Sequence, residues 1–465
     1  MHLSGQAIAH AEPTAGSGTD LTLLTLSQAS AKIHDRQVTA MQLTEAVLAR
    51  ISAIDSSLNS YITVTGENAI ADARRLDKEQ RSGKLRGPLH GIPIALKDNI
   101  DTVGIPTTAA SAVYRERIPV EDAEVTRRLK QAGAIIVGKL NLHEFAAGGT
   151  GHASAFGATH NPWDLERVTG GSSSGSGGAV AGELCFGALG TDTGGSCRIP
   201  AAYNGIVGFK PTQRRVPLDG GVPLSFSLDS FGPIARTVGC CAVLDAVLAD
   251  EPVVPLQPRP IKGMRLAVPT TTALDELEDA VARTFDRALE TLSRHGALIE
   301  RIAVPEFHDV AQMNAKGGFS AAESYAWHRY LIASKGDIYD PRVASRIMRG
   351  ESQSAADYVD LLDARRSLIA RIAVRLAPYD ALVMPTTANT PPRIADLVDD
   401  DKAFTRANVL ALRNCSLINV IDGCAISLPA HRDGEVPVGL MLAATGGADR
   451  RIFELAAGIE AVIGG

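Results

Sequence analysis

Gly170-Gly171-Ser172-Ser173-Ser174-Gly175-Ser176-Gly177-Gly178 runs through Ala179-Val180-Ala181 towards a second cluster, Gly190-Thr191-Asp192-Thr193-Gly194-Gly195-Ser196. Glycine and serine at this density read first as a flexible linker. A linker joins domains, whereas this stretch leads into an apolar, strand-like segment at 185–189 and then into more glycine. A phosphate loop fails on order, because G-x-x-x-x-G-K-[ST] needs a lysine after the glycines and none follows. Gly171-Ser172-Ser173-Ser174-Gly175 matches G-x-S-x-G, which would make Ser173 the nucleophile of an α/β-hydrolase elbow. That elbow follows a strand, but Asn161-Pro162-Trp163-Asp164-Leu165-Glu166-Arg167 is turn-like and polar, so the match is a decoy.

Acyl transfer needs an activated hydroxyl, a base for its proton, and N–H donors aimed at the developing oxyanion. Thr193-Gly194-Gly195-Ser196 supplies hydroxyl and donors together. The paired glycines let the backbone approach a carbonyl closely and turn successive N–H groups towards one point. The strand-like residues just before it place the loop at a strand's carboxyl end, where α/β sheets bind ligands.

Outward from this centre, the chain alternates helical and strand patterns. Leu43, Val47, Ile51 and Ile54 recur at helical spacing, and a short β-like run follows at 61–64. Residues 122–132 place acids first and Arg127, Arg128 and Lys130 late, with Gly133 ending the helix and a buried strand at 134–137, half of a βαβ unit. The pattern returns as a strand at 264–268, a helix marked by Leu277, Val281, Phe285 and Leu292, then Gly296 and a strand through Val304. Residues 310–375 are mostly helical in pattern, and 381–384, 424–428 and 436–442 read as strands of the main sheet. The expected fold is α/β: one large domain with a mostly parallel, mixed central sheet covered by helices.

With 465 residues, 45% hydrophobic and 21% charged, the chain has material for a large core. A net charge of −6 without basic runs argues against a nucleic-acid partner, since such binding relies on neutralising phosphates. The six cysteines show no C-x-x-C spacing and read as free thiols of a reducing compartment. Residues 1–20 carry neither a basic nor an apolar leader pattern, and 177–190, interrupted by Glu183, is too short to span a membrane. A cytoplasmic protein without membrane contact is expected, with residues 1–22 a flexible segment.

Taken in order, Gly-Gly-Ser-Ser-Ser-Gly-Ser, Gly-Thr-Asp-Thr-Gly-Gly-Ser and Arg198-Ile199-Pro200-Ala201-Ala202 resemble the amidase signature family. Further similar stretches are Gly91-Ile92-Pro93-Ile94-Ala95-Leu96-Lys97-Asp98-Asn99, Gly208-Phe209-Lys210-Pro211-Thr212, Ser227-Leu228-Asp229-Ser230-Phe231-Gly232-Pro233 and Pro437-Val438-Gly439-Leu440. The resemblance spans about residue 23 to the C-terminus, with a signature core near 85–240 and a helical insertion near 310–375. It implies a Ser–Ser–Lys triad: Lys97 as base, Ser172 as the bridging serine that follows a cis peptide, and Ser196 as nucleophile. Backbone N–H groups of Thr193, Gly194, Gly195 and Ser196 would form the oxyanion hole. Gly148, Gly149 and Thr150 resemble a loop that lines the acyl pocket, and Asp192 and Arg198 would hold the nucleophile loop in shape.

A free lysine titrates near 10.4 and cannot accept a proton at neutral pH, so Lys97 must be buried among uncharged polar groups to serve. His143-Glu144 begins like a zinc-protease motif but lacks the second histidine, and His143, His152 and His160 are irregularly spaced; neither a metal nor a cofactor is expected. Cys197 reads as a packing residue. Val238-Gly239-Cys240-Cys241 and Asp422-Gly423-Cys424-Ala425 depart from the family pattern and are candidates for reshaping the pocket or an interface. The implied activity is hydrolysis of a linear amide through an acyl-enzyme, with carbamate or ester hydrolysis, or glutamine hydrolysis within a tRNA-dependent amidotransferase, as alternatives. The expected partner is a small-molecule amide, and a homodimer is an allowed assembly.

Overall fold

The computed structural model describes residues 20–463, so most of the flexible segment expected at 1–22 lies outside the described residues. The strands, in chain order, are β1 (Tyr61–Val64), β2 (Pro93–Lys97), β3 (Ile135–Leu140), β4 (His160–Asn161), β5 (Asp164–Val168), β6 (Gly187–Thr191), β7 (Val207–Lys210), β8 (Phe231–Ala235), β9 (Arg265–Pro269), β10 (Leu298–Ile302), β11 (Ala381–Pro385), β12 (Cys424–Pro429) and β13 (Gly439–Ala444). Among the described residues, eleven of them form one sheet in the order β1-β3-β2-β6-β8-β7-β12-β13-β11-β9-β10, while β4 and β5 make a small ribbon.

Parallel pairing is confined to β3–β2–β6 and to β11–β9–β10. Through the middle, β6–β8–β7–β12–β13–β11 is antiparallel throughout. The expectation of a mostly parallel sheet is therefore corrected to a mixed sheet with an antiparallel centre. The physical reason is connection length: a parallel pair needs a crossover of about a dozen residues or more, whereas β12 and β13 are joined by a short loop. Both βαβ units expected from the sequence are present. One helix, Glu124–Gln131, precedes β3, and Asp279–Arg294 connects β9 to β10 in parallel register.

Local sequence explains the elements. Ala40–Leu58 starts at Thr39, whose side chain accepts from the Gln42 amide while Gln42 reaches back, a reciprocal cap. In Asp279–Arg294, Val281, Phe285, Leu289 and Leu292 form the buried stripe that seats the helix on the sheet. Alternation along the strands sends Val383, Leu440 and Leu442 into one apolar layer and Leu382, Met384 and Met441 into the other. The central strands are thus buried on both faces, while the edge strands β1 and β10 are partly exposed.

Helices Phe307–Met313, Gly318–Lys335, Pro341–Met348 and Ala355–Leu376 fill the region expected to be helical. Pro341–Met348 seats Val343 and Ile347 in a small cluster with Phe145, which brings the helix over the loop after β3. All six cysteines are buried free thiols. Among the described residues, no helix is long and apolar enough to cross a membrane.

Candidate active site

Because β2 and β6 are parallel neighbours, their carboxyl ends bring Lys97 and Thr191 together. Lys97 Nζ donates to Ser172 Oγ at 2.7 Å and to Thr191 Oγ1 at 2.6 Å, in a fully buried position. Among the described residues no carboxylate forms an ion pair with it. The adjacent Asp98 is occupied by Lys139, 3.1 Å away, and by the amide and hydroxyl of Thr108. Burial lowers the Lys97 ammonium from 10.5 to about 7, against the weaker opposing pull of Cys197, Asp229 and Asp192. Such a net shift corresponds to about 5 kcal/mol of preference for the neutral amine, set by burial that a surface lysine never meets.

Ser172 follows a cis peptide after Gly171. Its strap is held by Gly171 N–H to Gly149 O (2.8 Å) and His143 N–H to Ser172 O (2.9 Å). The helix Ser174–Ala181 begins at once, and residues 168–180 are all buried, which rules out a linker. Small residues are required here because a Cβ on Gly175 would lie 2.3 Å from the Ser60 carbonyl oxygen. Ser173 Oγ donates to Thr191 O (3.2 Å) and accepts from Thr191 N–H (3.3 Å), so it stitches the strap to β6. That geometry fits a structural serine.

The loop after β6 is organised by Asp192. Its carboxylate accepts from Gly195 N–H (2.8 Å), Cys197 N–H (3.1 Å), Arg198 Nε (3.0 Å) and an Arg198 terminal nitrogen (2.9 Å), and from Asn419 Nδ2 (2.9 Å). Burial alone would raise the Asp192 pKa, but the charge and hydrogen bonds of Arg198 outweigh it and hold the carboxyl well below its usual range. Gly195 has φ +129°, and a Cβ there would meet Cys415 Cβ at 2.5 Å, so only glycine fits. The Gly195 amide points at Asp192, so of the four amides expected at an oxyanion hole it is the one with an acceptor inside the protein. Among the described residues, the amides of Thr193, Gly194 and Ser196 have no acceptor. Replacing Asp192 by Asn leaves the buried Arg198 charge uncompensated, and is expected to cost about 3–5 kcal/mol in chemical denaturation at constant m-value.

Ser196, 4% exposed, lines a cavity of about 130 Å³ with Gly148, Thr193 and Gly194; Leu224, Leu228 and Leu412 are apolar walls. Of the loop residues expected at the pocket, Gly148 alone is there. Gly149 gives its amide to Asn408 Oδ1 (2.7 Å) and Thr150 Oγ1 bonds His152 Nδ1 (3.0 Å), so both serve the loop's shape. The cavity shares Asn314, Arg346, Arg349, Leu412 and Ser416 with an outer groove of about 1120 Å³.

The cysteines of the departing segments are core residues: Cys240, Cys241 and Cys424 are buried in the main apolar layer and line neither space. Cys197, whose thiol burial pushes well above its usual pKa, lies against Gly232 O and packs as expected. His143 is fully buried with its ring 5.9 Å from that of His152, while His160 Nδ1 bonds Leu165 O. Among the described residues no group of three or more His, Cys, Asp or Glu side chains could hold a metal. Sequence reasoning missed Thr191 and Arg346. The first lay inside the glycine-rich motif as a second hydroxyl at a strand end; the second had no local signal.

The family model for Amidase matches residues 42–453. The chain belongs to the amidase family. As a member, it is a hydrolase of carbon–nitrogen bonds. It is 35% identical over 456 residues to a glutamyl-tRNA(Gln) amidotransferase subunit of Symbiobacterium thermophilum, covering 90% of this chain and 93% of that protein. Among solved structures, one described as an amidase superposes with a TM-score of 0.86 at 31% identity, covering 95% of this amidase-family chain and all of the other. The peptide amidase of Stenotrophomonas maltophilia gives 0.78 at 29% identity, over 95% and 97% of the two chains.

Proposed function

We propose that this amidase-family protein is a free-standing cytoplasmic amidase that cleaves a small linear amide through an acyl-enzyme on Ser196. The observation that carries this is Lys97: buried, without a carboxylate partner, lowered to about 7 and bonded to Ser172 beside the loop that bears Ser196. A neutral Lys97 accepts the Ser172 proton as Ser172 takes that of Ser196, and the freed Ser196 Oγ attacks the acyl carbon. The amides of Thr193, Gly194 and Ser196 hold the oxyanion, and the proton returns through Ser172 to the leaving nitrogen. The amine departs, and water, activated by the same relay, releases the acid. Carbamates and esters present the same carbonyl to the same groups and remain in the substrate class to be separated.

Glutamine hydrolysis in a tRNA-dependent amidotransferase is the second reading, drawn from the names of the relatives. Arg346 in the cavity suits a carboxylate, but among the described residues no Asp or Glu lines that cavity to meet an α-ammonium, which favours the free-standing reading. The test is turnover of the purified chain alone on aliphatic amides, aryl amides, carbamates, esters and glutamine, with fluorophosphonate labelling mapped to a peptide. Turnover without partners and an adduct on Ser196 are expected; activity on glutamine alone, and only with partner proteins, would select the second reading.

Two neighbouring serines give a sharper check. Ser172→Ala removes the relay and should lower kcat by about 10² or more, whereas Ser173→Ala loses only its two structural hydrogen bonds to Thr191 and should retain kcat within a few fold. The opposite order in steady-state kinetics would return the nucleophile-elbow reading to Ser173.

A further inference from the structure

Four arginines, Arg342, Arg346, Arg349 and Arg413, line the outer groove. Two are engaged: Arg342 pairs with Asp401 and caps Leu397 O and Val398 O, and Arg413 bonds Asn414 Oδ1 and Ala273 O. Arg346 and Arg349 are the two that also line the inner cavity beside Ser196. Among the described residues neither guanidinium has a carboxylate partner or a hydrogen-bond acceptor. The groove's own acids are committed, Asp401 to Arg342 and Asp340 to the amides that start the helix Pro341–Met348. The two cations are close enough to oppose each other: burial, then the charge of Arg349, lowers Arg346 to about 10, which still leaves it protonated at neutral pH. Their place at the carboxyl end of the helix offsets part of that repulsion without neutralising either charge.

Two unpaired guanidinium groups beside apolar walls, at the passage from groove to nucleophile, make a fork for anionic oxygens. Resting on the catalytic role proposed for Ser196, we infer that Arg346 and Arg349 form an anion subsite for the far end of the substrate, and that the two charges select a dianionic terminus over a monoanionic one. The terminus is either a pair of carboxylates or a phosphate-like group, both offering the same multiple oxygens. Arg349, the more exposed of the two, is the specificity-determining residue, because it supplies the second charge.

The test is titration calorimetry on full-length Ser196→Ala protein at fixed ionic strength, so that screening is equal for all ligands. The probes, used at about pH 8.5 where a phosphonate is doubly ionised, are product-like acids: glutarate, whose far end bears one charge, and propane-1,1,3-tricarboxylate and 3-phosphonopropionate, whose far ends bear two. The dianion-ended acids are expected to bind at least about tenfold tighter than glutarate, and Arg349→Gln to erase that advantage. Whichever of the two binds tighter identifies the terminus. Equal affinity of all three, or an advantage that survives Arg349→Gln, overturns the inference. Fluorophosphonate labelling of wild type reads the catalytic role separately. An unlabelled Ser196 with the tenfold selectivity intact sinks the catalytic reading and leaves the subsite standing; a labelled Ser196 with no selectivity does the reverse.

Discussion

Ser196→Ala is expected to abolish turnover, to below one-hundredth of wild type and by as much as a factor on the order of 10⁶, while leaving the protein folded. The hydroxyl is the proposed covalent partner, and its loss removes the group on which the acyl-enzyme forms. Structure protects the interpretation, because Ser196 Oγ opens to the cavity and makes no hydrogen bond among the described residues. The loop around it is fixed by Asp192, Arg198 and Asn419, not by Ser196. Its removal should therefore change unfolding free energy by no more than about 0.5 kcal/mol. A mutant that keeps a tenth of the activity, or one that reacts with a fluorophosphonate as wild type does, would move the nucleophile elsewhere.

The placement of that loop was legible for a physical reason. An apolar strand followed by Gly190-Thr191-Asp192-Thr193-Gly194-Gly195-Ser196 can end only in a tight turn at a strand's carboxyl edge, and β6 does so. That the Gly/Ser stretch is no linker was legible too, since it leads directly into an apolar, strand-like run. Strand direction was not. The strands of the centre, such as β6 and β8, are buried throughout, so no polar face marks their orientation, and their pairing is set by the path of the loops. Nor does nearness in sequence place a side chain at the cavity: Gly148 reaches it, and Thr150 two residues later does not. The bond from the Gly195 amide to Asp192 follows a side-chain acceptor three residues before a donor, a pattern visible in the sequence once Asp192 is given that role. Arg346 was beyond reach, because a distant helix delivers it and its own neighbourhood reads as ordinary helix surface.

Lys97 should impose the pH dependence. Its folded-state pKa is about 7, and only the neutral amine accepts the relayed proton, so kcat/KM should fall about tenfold per unit below pH 7 and level off above it. Stability should carry the same signature with its sign worked out from the depressed pKa. Between about pH 7 and 10.4 the unfolded chain holds a proton on this lysine that the folded chain does not, so this group's contribution to stability rises with pH across that window. Lys97→Ala should lower kcat by a factor on the order of 10² to 10⁴ and flatten the acidic limb. Lys97→Arg should fail to rescue it, because a guanidinium stays protonated at any working pH and Ser172 would face a donor where it needs an acceptor. The measurement is kcat/KM from pH 5 to 9 for wild type and both variants, with denaturation midpoints confirming that each is folded. An active arginine variant, or an acidic limb that persists without Lys97, would show that another group takes the proton.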